Sequence, residues 1–234
     1  MSLRPHDKFF VITGPEGAGK TTLADTLARR GITVVVESTR EVWKHQARLG
    51  GPFFPFAAGG GTAQEQRIYF ELSLAWDLRS YDAAMSLVKG EKQFGPCFSG
   101  SDLGSPARGE THHPSPPPNN GPIVFDRAII DIIIFLKCSG LAIPDHIDRA
   151  ARLHPYNPTV FLAPFWPAIY TQDPERISSP EEAEAQESIC REVYEAYGYR
   201  LLTLPLAEPE ERADLVLKHI GLDLAVRGAL RDLL

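Results

Sequence analysis

Basic clusters, paired cysteines and long apolar runs are all scarce in this sequence of 234 residues. The formal net charge of -6 argues against a general nucleic-acid binder, since affinity for the phosphate backbone comes from clustered Lys and Arg. The three cysteines, Cys97, Cys138 and Cys190, lack the paired spacings of zinc sites and disulfide frameworks and are typical of a reducing cytoplasm. No run reaches the roughly 18 apolar residues that span a bilayer, and the N-terminus has no signal-peptide pattern. We therefore expect a cytoplasmic protein that binds neither nucleic acid nor membrane.

The composition is typical of one globular domain. Hydrophobic residues make up 43% of the chain and charged residues 23%, so we predict that residues 1–234 form a single domain with a buried core. Short apolar runs alternate with helical segments, which is the pattern of a parallel sheet covered by helices on both faces. The sequence therefore predicts an α/β fold with three layers. The predicted strands are Lys8–Thr13, Ile32–Glu37, Ile123–Asp126, Thr159–Ala163 and Tyr199–Leu204.

Two helices and one insertion are also predicted. Apolar residues at helical spacing predict a first helix over Lys20–Arg30 and a long helix over about Thr62–Val88. Between Gly90 and Gly121 the chain is crowded with Gly, Pro and Ser, so we predict a mobile surface insertion that contributes nothing to the core and is able to meet a protein partner. Its pair His112-His113 has no third ligand at useful spacing and is interpreted as solvated loop.

A phosphate-binding loop is the strongest signal in the sequence. The segment Gly14–Thr21 matches the pattern G-x-x-x-x-G-K-[ST], with an apolar strand before it and an amphipathic helix after it. Its glycines allow a tight turn that presents amide N–H groups to phosphates at a helix N-terminus, and Lys20 adds a charge at the β and γ phosphates. The Thr21 hydroxyl is placed to coordinate Mg²⁺, with Thr22 the less favoured ligand. The predicted nucleotide-binding residues are Gly14, Gly17, Ala18, Gly19, Lys20, Thr21 and Thr22.

Charged residues close two of the predicted strands. Ligands gather at the carboxyl ends of the strands in such sheets, so these residues are candidates for chemistry. Asp126 is predicted to reach Mg²⁺ through a water, and Arg127 to pair with an anionic or hydroxylated acceptor, with a structural salt bridge as the alternative. The sequence leaves three interpretations of Glu37 open. It is a general base toward the acceptor hydroxyl, it holds water on the metal, or it only pairs with Arg40.

Two further regions carry weaker candidates. After the fourth strand, Tyr170–Arg176 combines a turn-forming Asp-Pro with an arginine, a lid-like arrangement in which Arg176 swings over the triphosphate. The alternative is that Arg176 is solvated near the acidic helix start at Pro180. On the long helix, several side chains either line an acceptor pocket or simply pack: Gln64, Gln66, Arg67 and Trp76.

Taken in order, these motifs resemble P-loop proteins with the nucleoside and nucleotide kinase-like fold, and most closely the AAA-domain family of predicted ATPases and kinases. The likeness is carried by five segments: Gly14–Thr22, Val36–Glu41, Phe125–Arg127 with Asp131, Tyr170–Arg176, and Tyr197–Pro205 with Glu211 and Arg212. It implies a five-stranded parallel core with a kinase-like lid. It would also assign the base to Glu37, and the metal and acceptor to Asp126 and Arg127.

The sequence leaves two functions open. The first is an ATP- and Mg²⁺-dependent kinase of a small hydroxylated molecule such as a nucleoside or nucleotide, in which Lys20, Glu37, Asp126, Arg127 and Arg176 are catalytic. The second is an NTP-binding switch, or slow ATPase or GTPase, that acts through a protein partner. Asp126 is not followed by the second acid of motor-type ATPases, which favours the kinase. The sequence has no Asn-Lys-x-Asp guanine signature, so ATP is the expected nucleotide.

Overall fold

One sheet lies at the centre of the protein. The computed structural model describes residues 4–50, 61–90, 98–99, 121–170 and 179–232. The strands of the sheet are β1 (Phe9–Thr13), β2 (Thr33–Val35), β3 (Phe98–Ser99), β4 (Ile123–Asp126), β5 (Thr159–Leu162) and β6 (Arg200–Thr203). They lie in the order β3-β2-β4-β1-β5-β6, in which β3 is antiparallel to β2 and every other pair of neighbouring strands is parallel. This confirms the predicted α/β class and its five-stranded parallel core.

Helices cover both faces of the sheet. They are α1 (Lys20–Arg29), α2 (Ser38–Leu49), α3 (Ala63–Lys89), α4 (Ile129–Cys138), α5 (Asp145–Leu153), α6 (Pro180–Ala196) and α7 (Pro209–Asp232). Alternate residues of β1 point to opposite faces. On one face Phe9 and Val11 pack with α3, α4, α5 and α6, and on the other Phe10 and Ile12 pack with α1 and α7. The protein therefore has the three layers expected from buried apolar strands.

The ends of the long helix α3 follow the sequence closely. Thr62 is its N-cap. The Thr62 hydroxyl accepts a hydrogen bond from the backbone N–H of Glu65, and the Glu65 carboxylate accepts one from the backbone N–H of Thr62. Such a reciprocal pair satisfies two backbone donors that a helix start leaves open. Gly90 closes the helix in the left-handed conformation, with φ of 70°. The predicted range of Thr62–Val88 is thus confirmed to within one residue.

The predicted insertion contributes one strand to the sheet. Phe98 pairs with Val35 and Ser99 with Val34, which adds the antiparallel edge strand β3 beside β2. The sequence did not predict this strand, because two residues within a Gly- and Pro-rich stretch give no pattern. Residues 91–97 and 100–120 of the insertion, including Cys97, His112 and His113, lie outside the described residues, as does Arg176. Within the described part of the chain, no helix is long and apolar enough to cross a membrane.

Candidate functional site

The phosphate-binding loop joins β1 to α1 with backbone angles that require glycine. Gly14 has φ of +135°, and a Cβ atom there would lie 2.1 Å from the carbonyl oxygen of Ala163 at the end of β5. Gly19 is the N-cap of α1 and has φ of 74°. A side chain at Gly14 would collide with backbone, and one at Gly19 would be strained. Because Gly19 is the N-cap, the loop lies at the N-terminus of α1, where anions are favoured.

Lys20 is held against the loop by a hydrogen bond to its backbone. Its ammonium is buried, with 6% of the residue exposed, and donates a hydrogen bond of 2.6 Å to the carbonyl oxygen of Pro15. Burial lowers the pKa of Lys20 to about 8, and the charge of Arg127 adds to this, while Glu37 and Asp126 act in the opposite direction. Phosphate oxygens at the loop would supply the counter-charge that this lysine lacks.

Thr21 in the first turn of α1 meets Asp126 at the end of β4. The Thr21 hydroxyl donates to Asp126 Oδ2 at 3.3 Å, while Asp126 Oδ1 is buried and has no hydrogen-bond partner among the described residues. Burial and the charge of Glu37 raise the pKa of Asp126 to about 6, despite Lys20 and Arg127. A buried oxygen without a donor is costly, and a hard cation that prefers oxygen ligands would satisfy it.

These two residues fit the Mg²⁺ site that the sequence predicts. The described residues contain no group of three or more His, Cys, Asp or Glu side chains that could hold a metal ion alone. Mg²⁺ in nucleotide sites usually keeps several waters and takes phosphate oxygens as further ligands. One hydroxyl and one carboxylate are therefore a sufficient contribution from the protein.

Arg127 connects three parts of the site. Its Nε donates to Glu37 Oε1 at 2.8 Å, and its Nη1 donates to the carbonyl oxygen of Gly14 at 3.0 Å and to Asp131 Oδ1 at 3.3 Å. Only 5% of its side chain is exposed. Its backbone has φ of 71°, the one positive value at a non-glycine position among the described residues. Strain of this kind persists only where surrounding contacts over-determine the conformation, as these three partners do.

The ion pair of Arg127 is therefore with Glu37 and Asp131 rather than with its neighbour Asp126. Glu37 also accepts a hydrogen bond of 2.6 Å from the Thr39 hydroxyl. Burial alone would raise the pKa of Glu37, but the charges of Arg127 and Lys20 and the Thr39 hydroxyl outweigh it and hold the pKa at about 2. A carboxylate with so low a pKa is a weak proton acceptor, which counts against the general-base interpretation.

A buried network behind Arg127 was only partly visible in the sequence. Asp131 accepts hydrogen bonds from the Thr13 hydroxyl at 2.6 Å, the Tyr194 hydroxyl at 2.6 Å and the backbone N–H of Ala128 at 2.9 Å. Asp131 is 1% exposed and thus depends on these donors. The network fixes Arg127 from behind. Thr13 and Tyr194 carry no local signal, since their partner is distant in the chain.

A cavity extends from the phosphate-binding loop to the Glu37–Arg127 pair. Three aromatic side chains from three helices line part of it, here called the aromatic wall, namely Trp43 of α2, Tyr69 of α3 and Phe135 of α4. The sequence pointed to other residues of α3 for this wall. Its remaining lining residues are Glu16, Gly17, Ala18, Gly19, Lys20, Thr21, Thr22, Glu37, Thr39, Arg40 and Arg127.

The four candidates on α3 are placed differently. Gln64 and Arg67 are exposed, Gln66 is half-buried, and the ring of Trp76 lies 5.7 Å from that of His45. Tyr69 is the α3 residue at the cavity, and its hydroxyl donates to the carbonyl oxygen of Thr39 at 2.6 Å. The tertiary packing of α3 on α2 decides which of its faces lies toward the loop, and spacing along α3 alone does not reveal it.

The likeness to known proteins extends along most of the chain. A family model described as an AAA domain matches residues 9–87 and 110–212. No curated protein matches the chain. Among solved structures, shikimate kinase from Acinetobacter baumannii in complex with shikimate is similar, with 13% identity and a TM-score of 0.48 over 91% of this chain and 91% of that chain. The ranges that the family model matches contain the phosphate-binding loop, Glu37 and the Arg127–Asp131 network.

Proposed function

This chain belongs to the AAA-domain family, and we propose that it is an ATP- and Mg²⁺-dependent phosphotransferase whose acceptor is a small hydroxylated molecule such as a nucleoside or nucleotide. One observation carries the proposal. The cavity that begins at the phosphate-binding loop continues to a wall of aromatic and charged side chains around Glu37 and Arg127. That wall supplies a place for an acceptor opposite the γ-phosphate, which hydrolysis by water alone does not require.

The residues of the loop hold the nucleotide. The backbone N–H groups of the loop and the Lys20 ammonium bind the phosphates, and Lys20 exchanges the Pro15 carbonyl for phosphate oxygens. Thr21 and Asp126 would hold Mg²⁺, and the ion would supply positive charge to the phosphates during transfer. We also propose that the chain forms a single domain, because the loop, the proposed metal ligands and the aromatic wall all belong to one three-layer unit.

Glu37 and Arg127 act on the acceptor side. Phosphoryl transfer passes through a loose transition state in most analyses, so positioning and charge matter more than strong proton abstraction. With its pKa held at about 2, Glu37 accepts a hydrogen bond from the acceptor hydroxyl and orients it rather than removing its proton early. Arg127 keeps Glu37 in place and adds positive charge. Arg176 stays a candidate, from the sequence alone, for the cation that meets the transferring group.

The proposal is tested by ATP and GTP consumption with Mg²⁺, alone and against a panel of nucleosides, nucleotides, cofactor precursors and other hydroxylated metabolites, with products resolved by mass. Strong stimulation by one compound that gains one phosphoryl group would support the kinase. Slow hydrolysis that no compound changes, together with tight nucleotide binding, would reject it in favour of a switch with a protein partner. The variant Lys20→Ala controls for contaminating activity.

A further inference from the structure

Arg212 lies directly behind the phosphate-binding loop. It belongs to the first turn of α7 and is 2% exposed. Its Nη1 donates to the carbonyl oxygen of Ala18 at 2.9 Å, and a Cβ atom added to Gly19 would lie 3.1 Å from the same nitrogen. The guanidinium therefore rests against the loop at the two residues that precede Lys20.

Among the described residues, the charge of Arg212 has no counter-ion. Its Nε and Nη2 are buried without hydrogen-bond partners there, and no carboxylate in that part of the chain acts on its charge. Arg127, the other buried arginine of the site, has both Glu37 and Asp131. Burial lowers the pKa of Arg212, with no nearby charge acting against it. A buried cation without a counter-ion destabilises a protein. Its position beside an anion-binding loop therefore indicates that a bound anionic ligand compensates its charge.

The contact with Ala18 acts on the loop itself. The Ala18 carbonyl and the Gly19 N–H belong to the same peptide unit, so a charged donor at the carbonyl polarises that unit and strengthens its N–H as a donor. We infer that Arg212 is a positioning residue for the nucleotide, an inference that rests on the proposed nucleotide site. It orients and polarises the Ala18–Gly19 peptide toward the phosphates, and the bound triphosphate neutralises its buried charge.

This arrangement separates stability from affinity. In the empty protein the unpaired guanidinium is unfavourable, so Arg212→Met is expected to leave the unfolding temperature unchanged or raised. With nucleotide, the same variant lacks the compensating charge, and its affinity for ATP with Mg²⁺ is expected to fall by about tenfold or more. A purely structural arginine would give the opposite pattern, with a less stable empty protein and an unaltered affinity.

The experiment measures ATP binding with Mg²⁺ by calorimetry, and thermal unfolding without nucleotide, for four proteins. Arg212→Lys keeps the charge and a donor for Ala18, and is expected to retain most of the affinity. Arg30→Met is the matched control, because Arg30 also connects α1 to α7 but pairs with Asp214 at the surface. It should bind ATP like the wild type. An Arg212→Met variant that fails to fold would overturn the stability part of the inference, and Arg212→Gln, which can donate to Ala18 without charge, would then test the affinity part.

Neutral variants that bind ATP as tightly as the wild type would overturn the inference, as would a Lys variant that loses as much affinity as the neutral ones. Binding is measured without an acceptor, so its outcome is independent of catalysis. A wild-type protein that binds ATP but transfers its phosphoryl group to nothing would reject the proposed function and leave the result on Arg212 intact.

Discussion

Replacing Glu37 by Gln tests the electrostatic centre of the site. The carboxylate is 14% exposed and accepts hydrogen bonds from Arg127 Nε at 2.8 Å and the Thr39 hydroxyl at 2.6 Å. Gln keeps the shape and one acceptor oxygen but removes the charge. Arg127, itself 5% exposed, would then have Asp131 as its remaining counter-ion. Breaking a buried ion pair from one side is strongly destabilising, because it leaves the other charge uncompensated.

The pKa of Glu37 sets the magnitude. A value of about 2 in the folded protein, against an ordinary 4.5, means that the folded state favours the charged form by about 3 kcal/mol. A lowered pKa contributes stability that is fully present above pH 4.5 and is lost as the pH falls through the folded value. Glu37→Gln should therefore lower the free energy of unfolding by about 3 kcal/mol at pH 7, or the unfolding temperature by roughly 6–12 °C.

The assay is urea unfolding at pH 7, 5, 4 and 3, compared with Glu41→Gln. Glu41 lies in α2, whose N-cap is Glu37, and pairs with Lys44 at 2.8 Å, but both side chains are substantially solvated, and such pairs contribute roughly 0.2–1 kcal/mol. The difference between wild type and Glu37→Gln should narrow below pH 4.5, while the control stays near zero throughout. Equal stabilities of wild type and Glu37→Gln at pH 7, or a gap that widens in acid, would refute the reasoning.

Three further changes probe the site and its surroundings. Lys20→Ala should weaken ATP binding by roughly 100-fold, because charge-assisted phosphate contacts are lost, whereas Lys137→Ala at the surface should not, as calorimetry would show. Asp126→Asn should raise the Mg²⁺ concentration for half-maximal turnover by about tenfold, and an unchanged Mg²⁺ dependence would remove Asp126 from the metal site. Burial, with added repulsion from Asp131 and Glu37, raises the pKa of Asp77 to about 8 despite a hydrogen bond from Ser38. The wild type should thus lose stability between about pH 4 and 8 relative to Asp77→Asn, and parallel pH profiles would contradict this.

Much of the fold could be predicted because its signals are local. The inner strands β1, β4 and β5 are buried, mostly apolar runs, since both faces of the sheet are covered there, and the ends of α3 are marked by Thr62 and Gly90 within a few residues. The phosphate-binding loop is likewise a local motif whose glycines are required by its own backbone angles. The edge strand β3 could not be predicted, because pairing with β2 defines it rather than its own two residues.

The candidate site was predicted in its parts but not in its connections. Lys20 and Thr21 begin α1 after the loop that follows β1, while Glu37, Asp126 and Arg127 lie at or just after the ends of β2 and β4, and the strand order β2-β4-β1 brings them together. The sequence left the partner of Glu37 open. Arg127 takes that position from 90 residues away, since β2 and β4 are neighbours in the sheet.

The sequence by itself determined the candidate residues for chemistry, since the phosphate-binding loop, the proposed metal carboxylate and the strand ends near them are encoded in short, contiguous patterns. Tertiary structure alone decided their charge states and surroundings. The pairing that lowers the pKa of Glu37, the aromatic wall that Tyr69 and Phe135 share, and the contact of Arg212 with Ala18 from 194 residues away all arise from packing between distant segments. Burial and long-range neighbours set these properties, and no local pattern records them.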